Sequence, residues 1–210
     1  MKLAIDVVSD FACPWCFIGS HRLDQALKGL DGVEAEIVYL PYLLDSKIPP
    51  EGADLRERLG KKFGGDVSKI FVRVELEAKK SGIDLDFKKI RRYPSSIPAH
   101  TLVRHSHRKG TQRAFARDIF RAYFLEGEDI GDRKILTSIA REHGFDGNEV
   151  KAILDDPSEL EQTKNDADEM QRQGVTAVPL VIFAQKFAVM GAEPVDAIRA
   201  RIKDALAADA

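Results

Sequence analysis

The first forty residues combine two strand-like apolar runs with one helical pattern. Residues 3–8 and 35–40 are short runs rich in β-branched side chains, and each predicts a strand. Between them, apolar residues recur at helical spacing, and the helix is expected to end near residues 29–32, where glycines interrupt it. A strand, a helix and a second strand form a βαβ unit, which implies parallel strands with a right-handed crossover.

The middle of the chain, residues 54–174, shows no convincing strand pattern and predicts helices instead. Its segments are long, charged on one face and broken by glycine or proline. The predicted helices span residues 67–80, 97–109, 113–125, 133–143, 147–154 and 159–173. The apolar and aromatic side chains of residues 115–123 share one face, which we interpret as the core of a helical bundle.

Strand patterns return after Gly174. Residues 180–183 and 187–190 flank a turn-like Ala-Gln-Lys segment, and this arrangement predicts a β-hairpin. Residues 194–208 predict a final helix with proline in its first turn and apolar side chains on one face. The order of elements, with strands at both ends and helices between them, places the chain in the α/β class.

Composition excludes several classes of partner. The formal net charge is -2, with 32 basic and 34 acidic residues interspersed, so we expect neither nucleic acid nor a membrane surface as a partner. No stretch approaches the roughly 20 apolar residues of a membrane-spanning helix. Asp6 and Asp10 lie within the first ten residues, a pattern unlike that of a signal peptide. These features predict a cytoplasmic protein.

The chain contains two cysteines, and both lie in the segment Cys13-Pro14-Trp15-Cys16. A disulfide that closes so short a loop removes only about 2 kcal/mol of chain entropy, and the cytosol opposes its formation, so a redox role is favoured over a structural one. Cys13 is expected at the start of a helix, where unpaired N–H groups and the helix dipole favour a thiolate. Cys13 is therefore the predicted nucleophile, and Cys16, one turn further on, the resolving thiol.

A Cys-x-x-Cys pair can also form half of a zinc site, with histidines as the other ligands. The chain has five histidines, His21, His100, His105, His107 and His143. His21 follows Cys16 by five residues, but no fourth ligand stands at a recognisable spacing. His105 and His107 fall on different helix faces and are predicted to be solvated surface residues. We expect no metal and no cofactor.

Four segments together resemble the DsbA-like thioredoxin superfamily, specifically its cytoplasmic FrnE-like branch. They are Ser-Asp-Phe-Ala-Cys-Pro-Trp-Cys at residues 9–16, Pro-Tyr-Leu-Leu at 41–44, Pro-Ser-Ser-Ile-Pro-Ala-His at 94–100 and Gly-Val-Thr-Ala-Val-Pro at 174–179. The resemblance implies a thioredoxin-like fold with a large all-helical insertion. It places the thioredoxin-like domain at residues 1–50 and 160–210 and the helical insertion at 51–159.

The resemblance also implies roles for single residues. An X-Pro bond is trans by default, but the family implies a cis bond before Pro179. Pro179 would pack beside the cysteine pair, and the backbone of Val178 would pair with an extended substrate. Pro14, Trp15 and His100 are the other substrate-binding candidates, although a hydrogen-bonded structural role is the alternative for His100.

Two positions depart from the family pattern. Thr101 stands where arginine is usual, and Ser95 where asparagine is frequent. These departures argue against an anion-binding role for the stretch at residues 94–101.

Three functions are compatible with these observations. The first is a thiol–disulfide oxidoreductase or isomerase acting on protein or small-molecule thiols, glutathione among them. The second is a glutathione-using isomerase similar to 2-hydroxychromene-2-carboxylate isomerase, a relative that usually lacks the cysteine pair. The third is a non-enzymatic module that binds thiols or a metal.

Overall fold

The computed structural model describes residues 1–30 and 32–208, and it contains one four-stranded sheet. The strands are β1 (Lys2–Ser9), β2 (Glu34–Pro41), β5 (Leu180–Phe183) and β6 (Phe187–Met190), in the spatial order β2-β1-β5-β6. β1 and β2 are parallel, with Lys2 opposite Glu34, while β5 is antiparallel to both β1 and β6. The predicted βαβ unit and β-hairpin are both confirmed.

The helices other than Leu55–Phe63 follow the apolar periodicity of the sequence. They are α1 (Pro14–Leu27), α2 (Leu55–Phe63), α3 (Ser68–Lys80), α4 (Ile97–Ser106), α5 (Gln112–Arg121), α6 (Arg133–Glu142), α7 (Gly147–Asp155), α8 (Pro157–Arg172) and α9 (Val195–Ala208). A 3₁₀ turn at His107–Lys109 extends α4, and a π-helical turn at Ala122–Glu126 extends α5. α1 ends at Leu27, before the predicted end near residues 29–32, of which Asp31 lies outside the described residues.

The apolar faces of the helices cover the sheet and one another. α1 packs against α9, and α9 also contacts β5 and β6, while α4, α5 and α8 contact β2. The aromatic side chains predicted to form a helical core are buried, as Phe115, Phe120 and Tyr123 show with 2% or less of their surface exposed. The insertion is therefore joined to the sheet by a continuous core.

Two features of the insertion differ from the prediction. Helix α2 was not predicted, and a short antiparallel ladder joins β3 (Ala53–Asp54) to β4 (Arg92–Tyr93), so the expectation of no strand in residues 54–174 was wrong. Asp54 ends β3 and caps α2, because its carboxylate accepts the N–H of Glu57 at 2.9 Å. The ladder thus fixes where α2 begins.

The predicted boundary between residues 159 and 160 falls inside the first turn of α8. The division into a thioredoxin-like part and an insertion stays a prediction, and the last two residues of its second segment lie outside the described residues. In the part of the chain that the structure describes, no helix has the length and apolarity needed to cross a membrane.

Candidate redox site

The cysteine pair lies at the amino-terminal end of α1. Cys13 is the residue before the first helical position, and its carbonyl accepts the N–H of Cys16 at 3.1 Å and that of Phe17 at 3.2 Å. Pro14 occupies the first turn, where its missing N–H leaves no helical bond unmade. Both cysteines are free thiols and both are buried, with 3% of Cys13 and none of Cys16 exposed.

The two thiols have different surroundings. Burial raises the pKa of the Cys16 thiol well above its ordinary value, and the adjacent Cys13 sulfur raises it further. The N–H of Asp10 and the Ser9 hydroxyl lower it by less. Cys16 is therefore protonated at neutral pH, whereas Cys13 stands at the helix start and lines a cavity. This asymmetry fits an attacking Cys13 and a resolving Cys16.

A buried carboxylate, Asp10, holds the loop that precedes Cys13. One of its oxygens accepts the N–H of Ala12 at 3.0 Å, the other accepts the N–H of Leu44 at 2.8 Å, and its carbonyl accepts the N–H of Cys13 at 3.0 Å. Burial by itself raises the pKa of this carboxyl, but the His100 ring and the two amides outweigh burial, so the net pKa is lowered. Sequence analysis assigned Asp10 no part in the site.

His100 lies behind this loop. Its Nε2 is 3.8 Å from an oxygen of Asp10, too far for a hydrogen bond, and has no other partner among the described residues, so the interaction is electrostatic. Its ring packs at a tilt against Phe11, with centroids 4.5 Å apart, and 4% of the residue is exposed. His100 does not line the cavity that Cys13 faces. Thr101, its neighbour, bonds to Thr163 of α8 at 2.9 Å.

The cavity beside Cys13 has a volume of about 300 Å³ and is lined mostly by apolar side chains. Residues from α2, α3 and the π-helical turn form much of its wall, and the loop before β5 closes one side. The lining residues are Ala12, Cys13, Pro14, Trp15, Leu44, Leu55, Leu59, Lys62, Phe63, Ile70, Phe71, Val74, Phe87, Tyr93, Tyr123, Phe124, Thr176, Ala177 and Val178. The structure thus brings Cys13, Pro14, Trp15 and Val178 together.

Pro179 lies against α1 next to this wall. The Val178–Pro179 bond is cis, as the resemblance implied. A methyl group built on Gly19 of α1 would meet the Pro179 ring at 2.8 Å, so the absence of a side chain at Gly19 permits this close contact. The carbonyl of Pro179 accepts the N–H of Gly191 at 2.7 Å, which connects the proline to the end of β6.

Tyr93 supplies a phenol to the cavity wall, and sequence analysis did not identify it. Burial raises the pKa of Tyr93 strongly, and the negative charges of Asp10, Asp45 and Cys13 add to this effect. The hydroxyl therefore keeps its proton and is available as a hydrogen-bond donor. Only the short β3–β4 ladder places Tyr93 at the cavity, so no local pattern marked it.

Three of the four remaining histidines hydrogen-bond to other side chains. His105 bonds to Glu159 at 2.8 Å and is only partly exposed, so its prediction as a solvated surface residue was wrong, whereas His107 is exposed. His143 bonds to Asp118 at 2.9 Å, and His21 to Gln25 at 3.0 Å. Within residues 1–30 and 32–208, no three His, Cys, Asp or Glu side chains are grouped so that they could hold a metal ion.

Three solved structures share this fold. The "probable DsbA oxidoreductase SCO1869" of Streptomyces coelicolor has a TM-score of 0.86 and 24% identity, covering 98% of this chain and 90% of that one. A 2-hydroxychromene-2-carboxylate isomerase has a TM-score of 0.74 and 16% identity over 98% and 97% of the two chains. The cytosolic disulfide reductase DsbM of Pseudomonas aeruginosa, solved with GSH, has a TM-score of 0.60 and 20% identity over 97% and 99%. At these identities the likeness establishes the fold alone.

Sequence comparison establishes the family. The uncharacterized protein YwbO of Bacillus subtilis (strain 168) is 26% identical over 205 residues, which cover 97% of this chain and 98% of that protein. Residues 4–203 match the family described as the DSBA-like thioredoxin domain. Because that match spans nearly the whole sequence, the chain belongs to the DsbA-like thioredoxin family.

Proposed function

We propose that this protein is a thiol–disulfide oxidoreductase or isomerase in which Cys13 attacks and Cys16 resolves. The observation that carries the proposal is the asymmetry of the pair. Cys13 stands at a helix start and faces a cavity, while Cys16 is completely buried behind it with its pKa raised. We also propose that the protein belongs to the FrnE-like branch of its family.

The reaction would proceed by two thiol–disulfide exchanges. The Cys13 thiolate attacks one sulfur of a substrate disulfide, a bond forms between the two sulfurs, the substrate S–S bond breaks, and the other substrate sulfur leaves as a thiolate. Cys16 then loses its proton and attacks the Cys13 sulfur, which releases the second substrate thiolate. Two electrons pass from the cysteine pair to the substrate, and the reverse sequence oxidises a dithiol.

Substrates reach Cys13 beside Val178, whose backbone groups form no hydrogen bond with the described residues. An extended segment of a protein substrate could therefore pair with Val178 by strand addition. A small thiol such as glutathione is the other substrate class, and the fold shared with a GSH-bound disulfide reductase supports it. We place the protein in the cytoplasm, in line with the cytosolic disulfide reductase that shares its fold.

Trapping experiments test the assignment of the two cysteines. Reduced Cys16→Ser should accumulate mixed disulfides with glutathione disulfide and with insulin, because its intermediate cannot be resolved, whereas Cys13→Ser should accumulate far fewer. Intact-mass spectrometry after acid quenching measures both. Equal trapping by the two variants, or insulin reduction by Cys13→Ser, would contradict the proposed roles.

A further inference from the structure

The cavity beside Cys13 holds one basic side chain. Among the described residues that line it, Lys62 is the single cation and none carries a carboxylate. The remaining wall consists mainly of aliphatic and aromatic side chains, including the stacked rings of Phe71 and Phe87, whose centroids are 4.2 Å apart. Such a wall favours an apolar group and disfavours a hydrated one, because a polar group buried here would find few hydrogen-bond partners.

The volume of this cavity limits what can enter. Its 300 Å³ lies at the low end of the roughly 300–1,000 Å³ typical of small-molecule sites. One ring or one branched side chain attached to the reacting sulfur fits this space, while a folded segment does not. The half-exposed Phe63 and Ile70 lie in its wall and give an incoming group an apolar entrance.

A second, larger cleft of about 770 Å³ continues from the cavity. The two share Leu44, Lys62 and Thr176 in their walls, so Lys62 stands where the apolar space meets the cleft. The cleft is basic, since four of its lining residues are cationic and one is acidic: Lys47, Arg58, Lys61, Lys62 and Asp45.

Two of these four cations are already paired: Arg58 with Asp45 and Lys61 with Glu57, each at 2.6 Å. Lys47 and Lys62 make no ion pair with the described residues, so they carry the unpaired positive charge of the cleft. Arg58 donates to both oxygens of Asp45, at 2.6 Å and 2.8 Å. The Lys62 ammonium donates to the carbonyl of Leu44 at 3.0 Å, which fixes it at the junction and leaves two of its three protons for another acceptor. An anion that extends from the cavity therefore meets Lys62 first.

We propose that the cavity and cleft together select disulfides that carry a compact apolar group, preferably aromatic, next to the reacting sulfur and a carboxylate further away. The inference rests on the proposed thiol–disulfide function and adds the substrate class. In the reaction, Cys13 forms a bond to the sulfur of the half held in the cavity, the substrate S–S bond breaks, and the other half leaves as a thiolate. Small aromatic thiols and acidic peptides with a cysteine beside an aromatic residue share this chemistry.

Four symmetrical disulfides separate the contribution of the aromatic ring from that of the carboxylate. 4,4′-Dithiodibenzoate carries a ring and a carboxylate, and 4,4′-dithiodianiline carries a ring with an amine that is uncharged at neutral pH. 3,3′-Dithiodipropionate carries a carboxylate without a ring, and cystamine carries an ammonium group without a ring. Acid-quenched mixing with reduced Cys16→Ser, followed by intact-mass spectrometry, gives the rate of adduct formation at Cys13. Each rate is divided by the rate of the same disulfide with dithiothreitol, which removes intrinsic reactivity. We expect dithiodibenzoate to exceed every other normalised rate by at least tenfold.

Two variants in the Cys16→Ser background test whether Lys62 binds the carboxylate and whether the apolar cavity wall binds the ring. Lys62→Met should lower the ratio of dithiodibenzoate to dithiodianiline about threefold to tenfold, because it removes the charge and keeps the stem. Leu59→Gln should instead lower the ratio of dithiodibenzoate to dithiodipropionate, because it puts an amide in the apolar wall. Lys134→Met, at an exposed position on α6, is the matched control and should change neither ratio.

The outcomes separate this inference from the proposed function. Equal normalised rates for all four disulfides would overturn the substrate class while leaving the redox function intact. No adduct with any of them or with glutathione disulfide would refute the redox function itself. A Lys62→Met effect no larger than that of Lys134→Met would remove the assigned carboxylate site. Disulfides of the peptides Cys-Phe-Glu and Cys-Phe-Gln test whether peptides are also substrates. Faster reaction of the Cys-Phe-Glu disulfide, lost in Lys62→Met, would support the inference.

Discussion

Replacement of Asp10 by asparagine should destabilise the protein by much more than its small change in size suggests. Each carboxylate oxygen of Asp10 accepts one buried backbone N–H, from Ala12 at 3.0 Å and from Leu44 at 2.8 Å. An asparagine has one acceptor oxygen, so its NH₂ group would face one of these N–H donors. A buried donor left without a partner costs about 1–3 kcal/mol, and we expect a loss of that size in the free energy of unfolding.

Asp6→Asn is the matched control, because the chemical change is identical and Asp6 lies on β1, four residues before Asp10. Burial raises the pKa of Asp6, which means that the fold disfavours its charge. Its side chain makes no hydrogen bond to the described residues. Asp6→Asn should therefore leave the unfolding free energy unchanged or increase it. Urea unfolding of the reduced proteins at pH 7 measures both variants.

The effect of Asp10→Asn should also depend on pH in a defined direction. The pKa of Asp10 is lower in the folded protein than in the unfolded chain, where it is about 3.9. Its contribution to stability is therefore complete above the unfolded pKa and is lost as the pH falls through the folded pKa. The gap between wild type and Asp10→Asn should narrow below about pH 4. The reasoning would be refuted if Asp10→Asn and Asp6→Asn changed the unfolding free energy equally. It would also be refuted if the difference between wild type and Asp10→Asn did not change between pH 7 and pH 3.

Two further predictions concern Cys16 and Gly19. The folded protein keeps the Cys16 proton that the unfolded chain releases, so the unfolding free energy of the reduced protein should fall above about pH 8.5 by up to about 1.4 kcal/mol per pH unit. Cys16→Ala should reduce this slope in urea unfolding at pH 7–10, and an unchanged slope would contradict the assigned burial of the thiol. Gly19→Ala should cost about 1–3 kcal/mol, because its methyl group would lie 2.8 Å from the Pro179 ring. Gly147→Ala, which meets only the mobile end of an arginine, should cost nothing, and equal effects in thermal unfolding would argue against the Gly19 contact.

The predicted helices and strands agree with the structure where apolar residues repeat with a clear period. The pattern in residues 67–80 gave α3 within one residue, and that in residues 180–190 gave the hairpin of β5 and β6. Helix α2 lacked such a pattern, because it is rich in charged residues and buries only Leu55 completely. Its position depends on the cap at Asp54 and on the β3–β4 ladder, which joins residues far apart in the chain.

The sequence by itself was enough to identify the candidate redox pair, because the two cysteines, the proline between them and the helix start are local features within four residues. Tertiary structure alone decided the surroundings of this pair. Asp10 became a buried carboxylate because Leu44 and His100, distant in the chain, pack around it. The apolar cavity and its basic cleft likewise arise where α2 packs beside the loop before β5. The burial and the electrostatic environment of a site depend on residues from several segments of the chain, so no local sequence pattern predicts them.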